Sequence, residues 1–234
     1  METGIDIPLL ICEILAFVPA IVLHEVGHGF AAYKLGDPTA KSAGRLSLNP
    51  LAHIDPFGTV IMPLLLMVMN MPIFGFAKPV PYNPRYFKDP RKGDLIVGLA
   101  GPAANLVQAL LGCAVAWGLE LALGNATGAA LSFVESDAFQ YFYFAFLPYY
   151  VLINLYLMFF NLIPIPPLDG SSIIALLVPR EKLGTYYRIQ QYALPIFMIV
   201  VIVVPYVLNV NPIGIYLNVT AGNLANLLFP YALM

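Results

Sequence analysis

Charge is what this sequence has least of. Eleven Lys and Arg and thirteen Asp and Glu make up 10% of 234 residues, against about 25% in an average soluble domain. So few charges cannot coat a water-facing surface, which excludes a soluble enzyme. With a net charge of −2 there is no basic footprint for nucleic acid either. Disorder is excluded by the opposite imbalance, since 60% of the residues are hydrophobic. Cysteine is scarce too. Cys12 and Cys113 both lie in apolar stretches and read as small core residues, which excludes a disulfide framework. No Lys or Arg precedes Lys34, so the first apolar stretch lacks the positive start of a cleaved signal peptide.

What is present is hydrophobic sequence, with a mean hydropathy of +0.80. At about 20 residues per crossing, the chain reads as an all-α polytopic membrane protein with about five or six transmembrane helices. A single integral-membrane domain, 1–234, is expected, with its core at about 7–178. Apolar segments run from Ile7 to Tyr33, Phe57 to Phe74, Leu95 to Leu123, Phe139 to Ile163 and Tyr192 to Leu208. A sixth, Ile213 to Met234, carries Asn218, Asn223 and Asn226 and either crosses or lies in the interface.

Positive charge orients the chain. The Lys and Arg fall in three clusters, at 34–45, 78–92 and 180–188, and the 124–138 connection has none. Cytoplasmic loops collect such residues, so all three clusters are expected inside. Phe57–Phe74 then has both flanks on one side. Its prolines and short length suit a re-entrant element, tolerated where protein or trapped water satisfies the backbone. Lys41–Asn49 and Phe76–Asn83 read as short extended, β-like pieces near the same face.

The chemistry begins at His24-Glu25-Val26-Gly27-His28. On a helix, residues four apart share a face, so both imidazoles can reach one metal ion. Glu25 beside them is placed as general base toward water whose pKa zinc lowers to about 7. Catalytic zinc takes three protein ligands and keeps one position open. The candidate third ligand is Asp169, in Asn161-Leu162-Ile163-Pro164-Ile165-Pro166-Pro167-Leu168-Asp169-Gly170. This stretch closes a second inward-running span, at the depth of His24–His28. The competing reading of Asp169 is a turn residue before Gly170.

HEVGH on a first core helix and NLIPIPPLDG after a later one resemble the site-2 protease family of intramembrane zinc metalloproteases. AGPAAN at Ala100–Asn105 and SLNPLAHIDP at Ser47–Pro56 share the resemblance, which runs from about Ile21 to Gly170 and is closest to compact bacterial and archaeal members. It implies hydrolysis of peptide bonds in transmembrane or membrane-associated proteins, with one Zn2+ held by His24, His28 and Asp169. Glu25 matches the family's catalytic base, and Asn161 the position that steadies substrate or the oxyanion. A prokaryotic plasma membrane with the site toward the cytoplasm is the implied location. Some members add a preceding span, a PDZ domain or a CBS pair; this sequence reads as a near-minimal core. The partners implied are a transmembrane protein substrate and the lipid bilayer, with no nucleic acid. Substrate identity, trigger and oligomeric state are not encoded in these motifs.

Other polar residues stay open at this level. His53 is a gate, a transient fourth ligand or a loop-stabilising donor. Asn105 and Gln108 line the cavity or join helices, and Glu13 lines a water path or pairs within the bundle. Gly98, Gly101, Ala104 and Gly112 suit close helix packing, and Tyr141–Phe146 an interfacial aromatic belt. Two rivals use the same residues. A metal transporter or channel gives Glu25 no task, and an inactive scaffold for transmembrane partners predicts a lost ligand or base, whereas all are present.

Overall fold

A computed structural model of the chain describes residues 6–68, 77–125, 127–190, 192–208, 210–231 and 233. The fold is all-α, with no strand among the described residues. Three helices among the described residues are long and apolar enough to cross a membrane: α1, Ile7–Lys34; α2, Pro90–Leu123; and α3, Asp137–Asn161.

Local chemistry starts each helix. Asp6 caps α1 by accepting from the Leu9 N–H at 3.0 Å, with a proline in the first turn. Asp89 caps α2 through the N–H groups of Arg91 and Lys92, again followed by proline. Ser136 caps α3 through Phe139 N–H. Beyond the end of α1, Gly36 takes φ +100°, a left-handed turn that other residues resist.

Packing is inverted relative to a soluble protein. Small residues face inward on α1 (Cys12, Ala16, Ala20) and on α2 (Gly98, Gly101, Ala109, Gly112). Ile11, Ile14, Leu15, Val107 and Leu111 point outward. Large aliphatics outside and small residues between helices is the arrangement a bilayer favours, because lipid solvates leucine and packing rewards close approach. The main core joins α2 and α3 to the helical stretch 212–228, through Ala109, Cys113, Val151, Leu155, Ala221 and Phe229.

Among the described residues, three of the expected five or six crossings are helices of full spanning length. The apolar helix Ala193–Leu208 has 16 residues, about 24 Å at 1.5 Å per residue. Helical residues 212–228 contain a π-turn at Asn218–Gly222. Between α1 and α2, a π-turn at Pro56–Ile61 leads into helix Met62–Val68; the rest of the Phe57–Phe74 stretch lies outside the described residues. The Lys78 N–H nevertheless donates to the His53 carbonyl at 2.9 Å. The chain that leaves at 54 is therefore back at the same level by 78, as a re-entrant element requires. The β-like pieces do not form strands. Thr39–Ser42 is a helical turn, and 77–83 is irregular, held by side chains rather than by ladder bonds.

The order of elements sets the site. α1 and α3 run one way and α2 the other, so the last third of α1, the first third of α2 and the loop after α3 meet. Lys34, Lys41, Arg45, Lys78 and Arg91 lie on segments at this same end.

Candidate metal centre

Two imidazoles and a carboxylate converge between the three long helices. His24 Nε2 and His28 Nε2 are 3.1 Å apart. Asp169 Oδ2 lies 3.2 Å from the first and 3.3 Å from the second. Three donors on a tetrahedral sphere of about 2.0–2.1 Å radius are separated by about 3.3 Å, so the spacing matches that of a single zinc ion's ligands.

The hydrogen bonds behind the imidazoles determine what these atoms offer. His28 Nδ1 sits 2.7 Å from the Val97 carbonyl, which only accepts, so Nδ1 carries the proton and Nε2 presents its lone pair. For His24 the partner is Asn105 Oδ1, at 2.6 Å. Which end of that amide faces the histidine follows from its other bonds. Asn105 Nδ2 donates to the Ala20 carbonyl at 3.0 Å and to Asn154 Oδ1 at 2.8 Å. Asn154 is oriented in turn, its Nδ2 donating to the Tyr150 carbonyl at 2.9 Å. Both asparagines are fully buried. A relay from α3 through α2 thus sets the His24 tautomer, again leaving Nε2 as a lone pair.

Three acceptors therefore face one another, and Asp169 Oδ2 is buried with no hydrogen-bond partner. Such a cluster is electrostatically unfavourable until a positive charge sits among the three. His₂-carboxylate with room for a further ligand is a catalytic zinc set, and the residues fit that ion.

Glycines let the groups approach. A Cβ at Gly101 of α2 would overlap His28 Nε2 and His24 Cε1, and one at Gly170 would overlap the Leu162 and Ile163 carbonyls. The turn carrying Asp169 is closed by Gly170 N–H donating to the Asn161 carbonyl at 2.6 Å. The Ser172 hydroxyl and N–H both bond the Asp169 carbonyl.

Glu25 stands at the edge of the cluster. Its Oε2 accepts from Val80 N–H at 3.0 Å, and with His28 and Asp169 it lines a cavity of about 510 Å³. Segment 78–83 crosses that cavity and is pinned along its length. Arg45 Nη2 donates to the Lys78 carbonyl at 2.5 Å, and the Asn83 N–H donates to buried Asp37 at 2.6 Å. The Tyr82 hydroxyl donates to Asp94 at 2.5 Å.

The remaining sequence candidates divide. Asn161 Nδ2 donates to the Leu157 carbonyl at 3.0 Å, within its own helix. His53 is buried, its Nε2 donating to the Ser47 carbonyl at 2.8 Å, and it is not part of the His24–His28–Asp169 group. Gln108 Oε1 accepts from the Tyr150 hydroxyl and joins α2 to α3. Glu13 lines a second, apolar cavity with His53 and Tyr149 on the flank of α1. Asn154, Asp94, Asp37 and Arg45 were not singled out from sequence. Asn154 carried a usable signal, a lone amide inside the run YYVLINLYLMFF.

Helices of membrane-spanning length enclosing a His₂-carboxylate centre, with a glutamate adjacent, define the class as an integral-membrane zinc metalloprotease. The chain belongs to that class by descent as well: residues 12–204 match the model of peptidase family M50, the site-2 protease family, and the protein is a member of it. It is 37% identical over 203 residues to the "Putative zinc metalloprotease YwhC" of Bacillus subtilis (strain 168), an alignment covering 87% of this chain and 82% of that one. Rip2 of Mycolicibacterium smegmatis, bearing the same description, is 33% identical over 69% of this chain and 55% of its own length. Rip2 of Mycobacterium tuberculosis (strain H37Rv) is 29% identical over 84% of this chain and 68% of its own. No solved structure is significantly similar to the chain.

Proposed function

We propose that this metalloprotease is an endopeptidase that cuts transmembrane or membrane-associated proteins at the cytoplasmic side of the plasma membrane. The observation that carries the reading is the convergence of two histidine lone pairs and the Asp169 carboxylate beside Glu25. His28 lies six residues before the end of α1, about 9 Å below it at 1.5 Å per residue. The cluster therefore sits below the membrane surface, and the cavity at 78–83 and 166–172 gives water a route to it. The Lys and Arg segments at the same end support a cytoplasmic location for it, since cytoplasmic loops collect such residues.

His24, His28 and Asp169 would hold Zn2+, which when bound polarises a carbonyl oxygen and makes water acidic near neutral pH. Glu25 takes a proton from the attacking water as the new C–O bond forms and the carbonyl oxygen gains negative charge, then gives that proton to the amide nitrogen, so the C–N bond breaks and the amine leaves. Val80 N–H holds the Glu25 carboxylate in place for both transfers. The asparagine relay keeps His24 in the metal-binding tautomer. Asn161 steadies the substrate or the oxyanion by exchanging its bond to the Leu157 carbonyl for one to the bound chain.

A base that is not a ligand separates this reading from metal transport. Glu25→Gln is expected to retain zinc and lose about 10²–10⁴-fold in cleavage of a single-span model substrate, while chelation of the wild type stops cleavage and added zinc restores it. Full hydrolysis by a zinc-loaded Glu25→Gln protein would remove Glu25 as base.

A further inference from the structure

One buried carboxylate in the catalytic cavity is used neither for the metal nor for the base. Asp94 lies in the second turn of α2, is 7% exposed, and lines the same cavity as Glu25, His28 and Asp169. One of its oxygens accepts from the Tyr82 hydroxyl at 2.5 Å. Among the described residues no Lys, Arg or His lies within ion-pair distance of it; the pairs formed are those of Asp169 with His24 and His28. The cavity lining, among the described residues, includes no Lys or Arg. Asp169 and Glu25 face the metal centre, which leaves Asp94 as an uncompensated carboxylate at a distance from it.

That distance follows from the helix. Asp94, Gly98, Gly101 and Asn105 form one buried stripe along α2, and Gly101 abuts both imidazoles. Seven residues separate Asp94 from Gly101, about 10.5 Å at 1.5 Å per residue. An extended substrate advances about 3.3 Å per residue, so a chain whose scissile bond lies at the imidazoles brings its second or third neighbouring residue to Asp94.

We propose that Asp94 forms an acidic subsite selecting a Lys or Arg side chain two or three residues from the scissile bond. This rests on the endopeptidase reading above and adds a substrate class to it. A buried carboxylate without a cation gains from a cationic side chain reaching it through the cavity and rejects an anionic one by like-charge repulsion. The Tyr82 hydroxyl, on segment 78–83, orients the carboxylate.

The test uses the full chain in detergent and single-span model substrates carrying Lys, Gln or Glu at each of three positions on either side of the cleavage point. Binding is read by photocrosslinking to the Glu25→Gln protein, and cleavage by the chain with Glu25 intact. Lys at the second or third position on one side is expected to be favoured at least tenfold over Glu in both assays, with Gln between them. Asp94→Asn is expected to flatten that preference and Asp94→Lys to reverse it, whereas Tyr82→Phe, which keeps the carboxylate, retains it. Zinc content checks that each variant is folded. A flat profile in the unmodified chain overturns the proposal, whatever the variants do. So does equal loss across all substrates in both Asp94→Asn and Tyr82→Phe, the result of a purely structural bond. A Lys preference in binding with no cleavage by the unmodified chain would sink the endopeptidase reading and leave the subsite standing.

Discussion

Replacing Asn105 by leucine tests the metal centre where its logic is narrowest. The two side chains share the same branched four-atom skeleton, so leucine keeps the shape of the contact between α1, α2 and α3 with somewhat bulkier ends, but Oδ1 is lost and His24 Nδ1 has no acceptor in a fully buried position. The imidazole then keeps an unsatisfied donor, which costs about 1–3 kcal/mol, or moves its proton to Nε2, which removes the lone pair aimed at the metal. Both routes reach zinc affinity. Loss of such an outer partner costs about 10–100-fold in metal binding, or about 1.4–2.7 kcal/mol. Asn154→Leu acts one bond further out. Because the Ala20 carbonyl still holds Asn105 Nδ2 at 3.0 Å, its loss is expected to stay within about tenfold. Zinc affinity is measured by chelator competition on the purified full chain, with a thermal melt of each metal-free variant to show that it is folded. A folded Asn105→Leu protein that binds zinc like the wild type refutes the tautomer argument, and an Asn154→Leu loss larger than that of Asn105→Leu refutes the order of the relay.

Gly101→Ala places a methyl group against both imidazoles, so the variant is expected to lose bound zinc, measured by metal analysis, while Gly118→Ala on an open face of the same helix retains it. Asn161→Ala keeps the main-chain bond that closes the Asp169 turn; it should hold zinc normally and slow cleavage by about 10²–10³-fold, the cost of losing one oxyanion donor. Equal zinc loss and activity loss in that variant would make Asn161 a scaffold residue only. Single cysteines at exposed positions 41 and 85, in a chain with Cys12 and Cys113 replaced, should both be labelled from the cytoplasmic side by an impermeant maleimide. Labelling from opposite sides would break the re-entrant path implied by the Lys78–His53 bond.

The parts of this site that were legible in the sequence are those whose geometry is local or repeats with depth. His24 and His28 are one helical turn apart, so their shared face follows from spacing alone. Asp169 is 141 residues beyond His28, yet two inward-running spans bring it to the same level, and helix-breaking prolines free it to project. What stayed hidden depends on which partner a polar atom finds across the bundle. Asn105 reads from sequence as either a cavity residue or a helix joint, and the structure makes it both a joint to Ala20 and Asn154 and the acceptor that sets the His24 tautomer. Asn154 belongs to the same relay, and its signal in the sequence is that an amide in an apolar span is costly unless it is paired. Asp94 was hidden for a different reason: a carboxylate five residues into a helix opening with Arg91 and Lys92 looks like a solvated first turn, and only the fold shows that it is buried against segment 78–83. That segment was expected as a strand edge from its alternating prolines. Its N–H and C=O groups go instead to Glu25, Asp37, Arg45 and the His53 backbone, so three side chains within the 21 residues from Glu25 to Arg45, helped by one main-chain bond, do the work of a neighbouring strand. A pattern rule reports which backbone is extended, but not which side chains compete for its hydrogen bonds, and at this site that competition is what places a peptide-like segment across Glu25.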